Sequence, residues 1–376
     1  MRILHTSDWH LGKRLFKLDR GPEHELFLEW LLKTLIEEKI DLLLIAGDVF
    51  DTPTPPHQSL EHFYNFLHRV SIETKVEVYI IAGNHDSGLL LEAPAKILAT
   101  HRVKVWGKLS KTVEDHWVNF KNIDICAIPF FRSYELLTDG EGDALMAIRK
   151  YISREKVRPQ LLMLHHLAGI HEAAGSEQVI TLSGVDSIPT EDLKTFDYVA
   201  LGHIHKPQKI SAQTYYSGSP IPLRFSESTK KSVMIIEEKD GILNHAPHPI
   251  PVFRDFYSVI TDERNYVDDL NNLIKRTDLT PMVEVQIELS QPKIGLIDEI
   301  KTILDRKGME LLSYLPIYQT GEKKEKRSEK LFKMSPIELF EEFYATKFPE
   351  SKGLPEDLKE DFTKLLEKVK DAHSSP

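Results

Sequence analysis

Over the first 250 residues of this 376-residue chain, short apolar runs alternate with stretches of helical period. The runs Arg2–Thr6, Leu42–Ala46, Val78–Ala82, Ile123–Ile128, Leu161–Leu164, Tyr198–Leu201 and Val233–Glu237 read as strands. Val78–Ala82 is apolar without interruption, the pattern of a strand covered on both faces. Between the first two runs, HELFLEWLLKTLIEEK places its apolar residues at helical spacing, and SLEHFYNFLHRV does so between the second and third. This βαβ rhythm predicts an α/β domain built on a largely buried sheet. TYYSGSPIP and the strand after it make the later half richer in adjacent strands.

From 251 to 316 the pattern restarts as β-α-β-α-β, through FYSVI, YVDDLNNLIKR, MVEVQIELS, IGLIDEIKTILDRKG and MELLSYL. In the third of these, Val283, Val285, Ile287 and Leu289 face one way, so that strand is covered on one side only. The chain thus reads as a domain over 1–250, a small α+β domain over 251–316, a charged linker over 317–334 and two helices within 335–376. Ser335 is placed as an N-cap, with Pro336 at the first helical position and Glu338 closing a capping box. Ile337, Phe340, Phe343 and Tyr344 share one face of the first tail helix; Leu358, Phe362, Leu365, Leu366 and Val369 share one face of the next. Helices this short need a surface to pack on.

No apolar run approaches the roughly 20 residues of a membrane span. The chain reaches the polar Ser7 too early for a cleavable leader, and its one cysteine, Cys126 in the core-like IDICAIPF, leaves no internal disulfide framework. The expectation is a cytoplasmic protein with no membrane attachment. A formal net charge of −10 argues against a protein that coats nucleic acid by bulk electrostatics. It leaves open a local grip, or a site made positive by metal ions.

The chemistry enters at the strand ends. SDWHLG supplies Asp8 and His10, GDVFD supplies Asp48, GNHD supplies Asn84 and His85, LMLHH supplies His165 and His166, and LGHIHKPQ supplies His203 and His205. Asp8 and His10 are two apart, as are His203 and His205, and on an extended chain that spacing aims both side chains the same way. A lone strand-end histidine is more often a packed structural residue, and a lone Gly-Asp is a turn at least as often as a site. Five such ends together point elsewhere, because loops at the carboxyl ends of strands in an open α/β sheet converge on one crevice. Oxygen and imidazole donors without cysteine suit manganese, with magnesium or iron(II) as alternatives, rather than a closed zinc site. Two such ions sharing a bridging carboxylate can clamp the attacking and leaving oxygens of a phosphoryl displacement. Gly47 and Gly83 are read as hinges that let the backbone turn. His165 follows Leu161–Leu164 directly and is favoured over His166 as the fourth-motif donor, with both open.

The order Asp-x-His, Gly-Asp-x-x-Asp, Gly-Asn-His-Asp, His, Gly-His-x-His resembles the calcineurin-like metallophosphoesterase superfamily. MRILHTSDWHLGK, AGDVFDTPTPP, IAGNHDS, FDYVALGHIHKPQ and YYSGSPIPLRFSE, over about residues 1–237, are similar to the SbcD family of bacterial nuclease subunits, as is SPIELFEEFY in the tail. Asp51 stands where archaeal and eukaryotic break-repair nucleases usually carry a histidine, which favours the bacterial branch. The resemblance implies a calcineurin-like β-sandwich flanked by helices, with a small α+β capping domain and C-terminal helices. It implies Asp8, His10 and His205 on one ion, Asn84, His165 and His203 on a second, and Asp48 bridging them, with manganese the family's preference. His85 would not ligate; it would contact the scissile phosphate and assist the leaving oxygen, with Asp86 orienting it. The nucleophile would be a water activated by the two cations. The implied activity is a 3′–5′ exonuclease on double-stranded DNA and an endonuclease on single strands, processing DNA ends and hairpins. The implied partners are DNA, an SbcC-type ATPase docked through the C-terminal helices, and a second copy in a homodimer.

Two readings compete. A phosphomonoesterase or cyclic-nucleotide phosphodiesterase would use the same metal set, but predicts a compact single domain where this chain has more than 120 further residues. A scaffold that has lost its chemistry predicts gaps among the donors or at His85, and there are none. Lys13, Arg14, Arg132 and Lys206 lie near the motifs as candidate phosphate contacts or as ordinary solvated charges. His24, His57, His62, His68, His245 and His248 lack motif context and are read as surface or packing residues.

Overall fold

The computed structural model describes residues 1–16, 18–131, 144–169 and 187–318, and in the tail residues 340, 341, 343, 344, 347, 348, 354, 355, 358, 359, 361 and 362. The chain divides into two compact units, residues 1–286 with 295–315, and residues 287–294 with 316–376.

The first unit begins with β1 (Arg2–Thr6), a small hairpin of β2 (Arg14–Leu15) and β3 (Leu18–Asp19), and α1 (Gly21–Glu37). It continues through β4 (Leu42–Ala46), α2 (His57–Glu73), β5 (Glu77–Ile81), α3 (Gly88–Glu92), α4 (Ala95–Thr100) and β6 (Val103–Trp106). Next come β7 (Trp117–Phe120), β8 (Ile123–Ile128), α5 (Ala144–Ile152), β9 (Gln160–Leu164), α6 (Thr190–Leu193) and β10 (Tyr198–Leu201). They are followed by β11 (Gln208–Lys209), β12 (Thr214–Tyr216), β13 (Lys231–Lys239) and β14 (Ile242–Ile250).

These strands form two six-stranded sheets, in the orders β14-β13-β1-β4-β5-β6 and β11-β12-β10-β9-β8-β7. In the first, β1, β4, β5 and β6 run parallel and β13 closes antiparallel on β1. In the second, β8, β9, β10 and β12 run parallel between antiparallel edges. The expected calcineurin-like sandwich follows from how the apolar runs split between faces. Leu43, Ile45, Val78 and Ile80 pack outward on Phe27, Leu31, Phe63 and Phe66 of α1 and α2. Their neighbours Leu42, Leu44, Tyr79 and Ile81 pack inward on Ile125, Leu161, Met163 and Tyr198 of the second sheet. The far side of that sheet, with Leu162, Leu164 and Val199, is covered by Ile148 and Leu193. Each fully buried Leu or Ile contributes about 1.5–3 kcal/mol. That burial on both faces is why the runs are continuous rather than alternating.

A three-stranded sheet follows, ordered β15 (Phe256–Asp262), β16 (Met282–Leu289) and β17 (Glu310–Tyr318), with α7 (Tyr266–Asn271) and α8 (Leu296–Arg306) in the connections. Val283, Val285, Ile287 and Leu289 are buried as their alternation predicts. The helix expected over YVDDLNNLIKR stops at Asn271. The Asp255 carboxylate takes the N–H groups of Arg276 and Thr277 at 2.6 and 3.1 Å, so they are not available for a helical ladder. Ile274 is exposed, leaving that stretch no apolar anchor. In the second unit, Phe340 and Phe362 stack with ring centroids 4.2 Å apart, and Lys359 pairs with Glu341 at 2.7 Å. The expected capping box at Ser335, Pro336 and Glu338, and most of the charged linker, lie outside the described residues.

Candidate metal centre

The donors sit on turns held at the carboxyl ends of β1, β4, β5, β9 and β10. After β1, Trp9 turns away into the helical core, where it meets Phe27, Phe63 and Phe66 edge-on and donates to Thr6 Oγ1 at 3.0 Å. Asp8 and His10 are left facing the strand ends. Their convergence does not come from an extended chain, as the two-residue spacing suggests: both are left-handed, at φ 53° and 47°. Asp48 at 50° and His203 at 95° join them, so four of the nine described non-glycine residues with positive φ are candidate donors. Such backbone persists only where its surroundings enforce it. Here the enforcement is main-chain pairing, from Asp8 N to Gly47 O and His10 N to Asp48 O, each at 3.0 Å.

The glycines act in two ways. Gly47 has φ +88° and is the turn residue the sequence suggests. Gly83 has no such φ; a Cβ there would fall on the Asp48 carboxylate, so its contribution is space rather than a hinge. Gly202, the glycine of Gly-His-x-His, also contributes space: a Cβ on it would meet Ala46 O and the His165 ring.

All seven predicted donors and His85 come together. Asp8, His10, Asp48, His165, His203 and His205 are buried, and Asn84 and His85 are half-buried. His10 Nε2 lies 3.1 Å from His205 Nε2. On the other side, Asn84 Oδ1 lies 2.8 Å from His203 Nδ1 and 3.1 Å from His165 Nε2. One atom, Asp48 Oδ2, is 3.5 Å from His10 Nε2 and 3.4 Å from His165 Nε2, between the two groups. Adjacent ligands at ~2.1 Å from an octahedral ion are separated by about 3 Å, which these spacings approach. His165 donates from Nδ1 to Ala46 O at 2.7 Å, turning Nε2 inward. His166 turns away and stacks on Phe130.

Several supporting residues have no clear sequence signal. Asp8 Oδ1 accepts from His203 N at 2.9 Å, while Ser7 Oγ donates to Oδ2 and meets Ser217 Oγ at 2.7 Å. The Glu227 carboxylate faces His205 Nδ1 at 3.7 Å and pairs with buried Lys231 at 2.7 Å. Asp51, a branch marker in the sequence, takes a structural place as well. Its carboxylate meets His10 Nδ1 at 3.2 Å and Lys13 Nζ at 2.9 Å, and its carbonyl accepts from His85 Nδ1 at 2.9 Å. Asp86, expected to orient His85, instead accepts from the N–H groups of Val49, Phe50 and Gly83 at 3.1, 2.9 and 2.9 Å. It ties the second and third motifs together. Arg132 lies outside the described residues, and His24, read as a surface or packing residue, is buried.

The electrostatics suit cations. Burial disfavours a charged imidazole at His165, yet Asp48 and Asp8 outweigh it and push its pKa up to about 9. Burial and the neighbouring Asp48 raise the Asp86 carboxyl to about 6. At Asp51 burial is outweighed by His10 and Lys13, which hold the carboxyl at about 2. Buried carboxylates that trap a proton on a neighbouring imidazole offer the charge and lone pairs that a divalent ion would take in that proton's place.

Residues 1–207 match the family Calcineurin-like phosphoesterase, and residues 252–348 match the Type 5 capsule protein repressor C-terminal domain. The chain is 30% identical over 348 residues to the D subunit of the nuclease SbcCD of Escherichia coli K12, covering 84% of this chain and 83% of that one. It is 33% identical over 284 residues to the corresponding SbcCD nuclease component of Rhodobacter capsulatus, covering 67% and 70%. With the metallophosphoesterase turns in place and this similarity running through most of its length, the chain belongs to the SbcD family of calcineurin-like nuclease subunits.

Proposed function

We propose that the chain hydrolyses DNA phosphodiesters with two divalent ions, as a 3′–5′ exonuclease on duplex ends and an endonuclease on single strands. Asp8, His10 and His205 would hold one ion, Asn84, His165 and His203 the other, and Asp48 both. Manganese suits this mixture of oxygen and imidazole donors. When bound, the ions would polarise the phosphoryl oxygens and ease loss of a proton from the attacking water. His85 donates a hydrogen bond from Nδ1 to the Asp51 carbonyl, which leaves Nε2 free to face the substrate; in the doubly protonated ring, Nε2 would pass its proton to the departing oxygen as the P–O bond breaks. The observation that carries this reading is the place of Asp48 Oδ2 between two donor groups.

The finer assignment includes an SbcC-type ATPase partner, a homodimer and action in the cytoplasm. Among the described residues no helix is long and apolar enough to cross a membrane. The exposed Phe343, Phe348 and Leu358 support docking through the tail, as an amphipathic helix laid in a partner's groove. The test is manganese-dependent digestion of end-labelled duplex, with and without the ATPase and ATP. Shortening from the 3′ end, stimulated by the partner, is expected. Turnover of a phosphomonoester or cyclic nucleotide with no duplex cleavage would favour a small-molecule phosphoesterase.

A further inference from the structure

Two imidazoles of the site, His10 and His85, turn their Nδ1 atoms toward one residue. Asp51 meets His10 Nδ1 through its carboxylate at 3.2 Å and accepts from His85 Nδ1 through its main-chain carbonyl at 2.9 Å. The rings lie edge to face with centroids 4.8 Å apart. Asp51 is itself held at its N–H and its carboxylate, and the strand-end segment it bonds is held in turn. Its N–H donates to Leu11 O at 3.1 Å, Leu11 N donates to Val49 O at 2.9 Å, and Lys13 Nζ holds the carboxylate at 2.9 Å.

A carbonyl can only accept, and an ionised carboxylate can only accept. Both rings must therefore carry hydrogen on Nδ1, which leaves each Nε2 turned away from Asp51. For His10 that atom faces His205 and Asp48. We propose that Asp51 is a positioning residue, its carboxylate setting the tautomer and aim of His10 and its carbonyl the aim of His85, coupling one metal ligand to the histidine beside the leaving oxygen. Asp51 also forms a close group with His10 and His85 that could be read as a third cation site. No ion is placed in that group here; the positioning role needs none. It rests on the two-ion reading given under Proposed function.

The experiment is metal titration of the full chain with manganese, followed by calorimetry and by metal content after gel filtration, for the wild type, Asp51→Ala and Asp51→Asn. The wild type should take up two ions. Asp51→Ala should weaken one of them about 10–100-fold, as loss of a partner to a ligating histidine does, and leave the other within threefold. Asp51→Asn keeps an acceptor and should recover most of that loss. Its metal-free melting temperature should match that of Asp51→Ala, which separates aiming from folding. Two ions held by Asp51→Ala as tightly as by the wild type overturn the inference and leave the two-ion reading standing. A third ion lost only in Asp51→Ala also overturns it, by making Asp51 a ligand. Equal weakening of both ions, without rescue by Asn, overturns it as mere destabilisation. A wild type that binds no ion removes the two-ion reading and this inference with it.

Discussion

Asp48 is the residue on which most of the site's geometry depends. Its Oδ1 accepts from His85 N at 2.8 Å, while its Oδ2 lies between His10 and His165. Asp48→Asn should therefore weaken both ions together and abolish cleavage, measured by metal content and single-turnover digestion. A variant with two tight ions and normal turnover would refute the bridging role. His85→Ala should keep both ions and lose about 10²–10⁴-fold in rate, the range for lost acid–base assistance. Loss of an ion in that variant would make His85 a ligand. At this scale the donors are legible because residue type and strand-end position are both written in the sequence. The supports are less so. Asp86 reads as the partner of His85 because the two are neighbours, yet a main-chain carbonyl from another loop does that holding. Hydrogen bonds to main-chain atoms leave no mark in side-chain composition.

At the scale of elements, the strands are legible and the turns are not. Continuous apolar runs mark where β4, β5 and β9 lie, but two-residue spacing misleads on Asp8 and His10, whose left-handed backbone depends on pairing with the next motif. The end of α7 is hidden for a similar reason, since Asp255 acts on it from outside the helix. A buried histidine in β1 gives this scale its prediction. His5 lies in the interior, with Nδ1 3.0 Å from Tyr198 Oη, and burial lowers its pKa to about 3. Unfolded, it would titrate near 6.5. Stability should thus fall as pH drops below 6.5, by on the order of 2 kcal/mol at pH 5 from this residue alone. His5→Gln removes the titration. Its deficit against the wild type in urea unfolding should shrink by that amount between pH 7.5 and 5, and a constant deficit would show that His5 does not contribute.

Across the whole molecule, the sandwich and the site belong to the first unit, and the tail residues to the second. Truncation after Tyr318 is expected to leave a folded, manganese-dependent nuclease that no longer co-purifies with the ATPase or responds to ATP. Undiminished partner binding would show that the tail is not the docking element. The tail's apolar stripes are legible as helices that need a surface, but the surface itself is not written in their spacing. The central claim, two ions joined by Asp48, is tested most directly by anomalous diffraction at the manganese edge from crystals of the full chain. Two peaks about 3.5–4 Å apart are expected, one beside His10 and His205, the other beside His165 and His203, with Asp48 touching both. A single peak, or two peaks that Asp48 does not join, would contradict it.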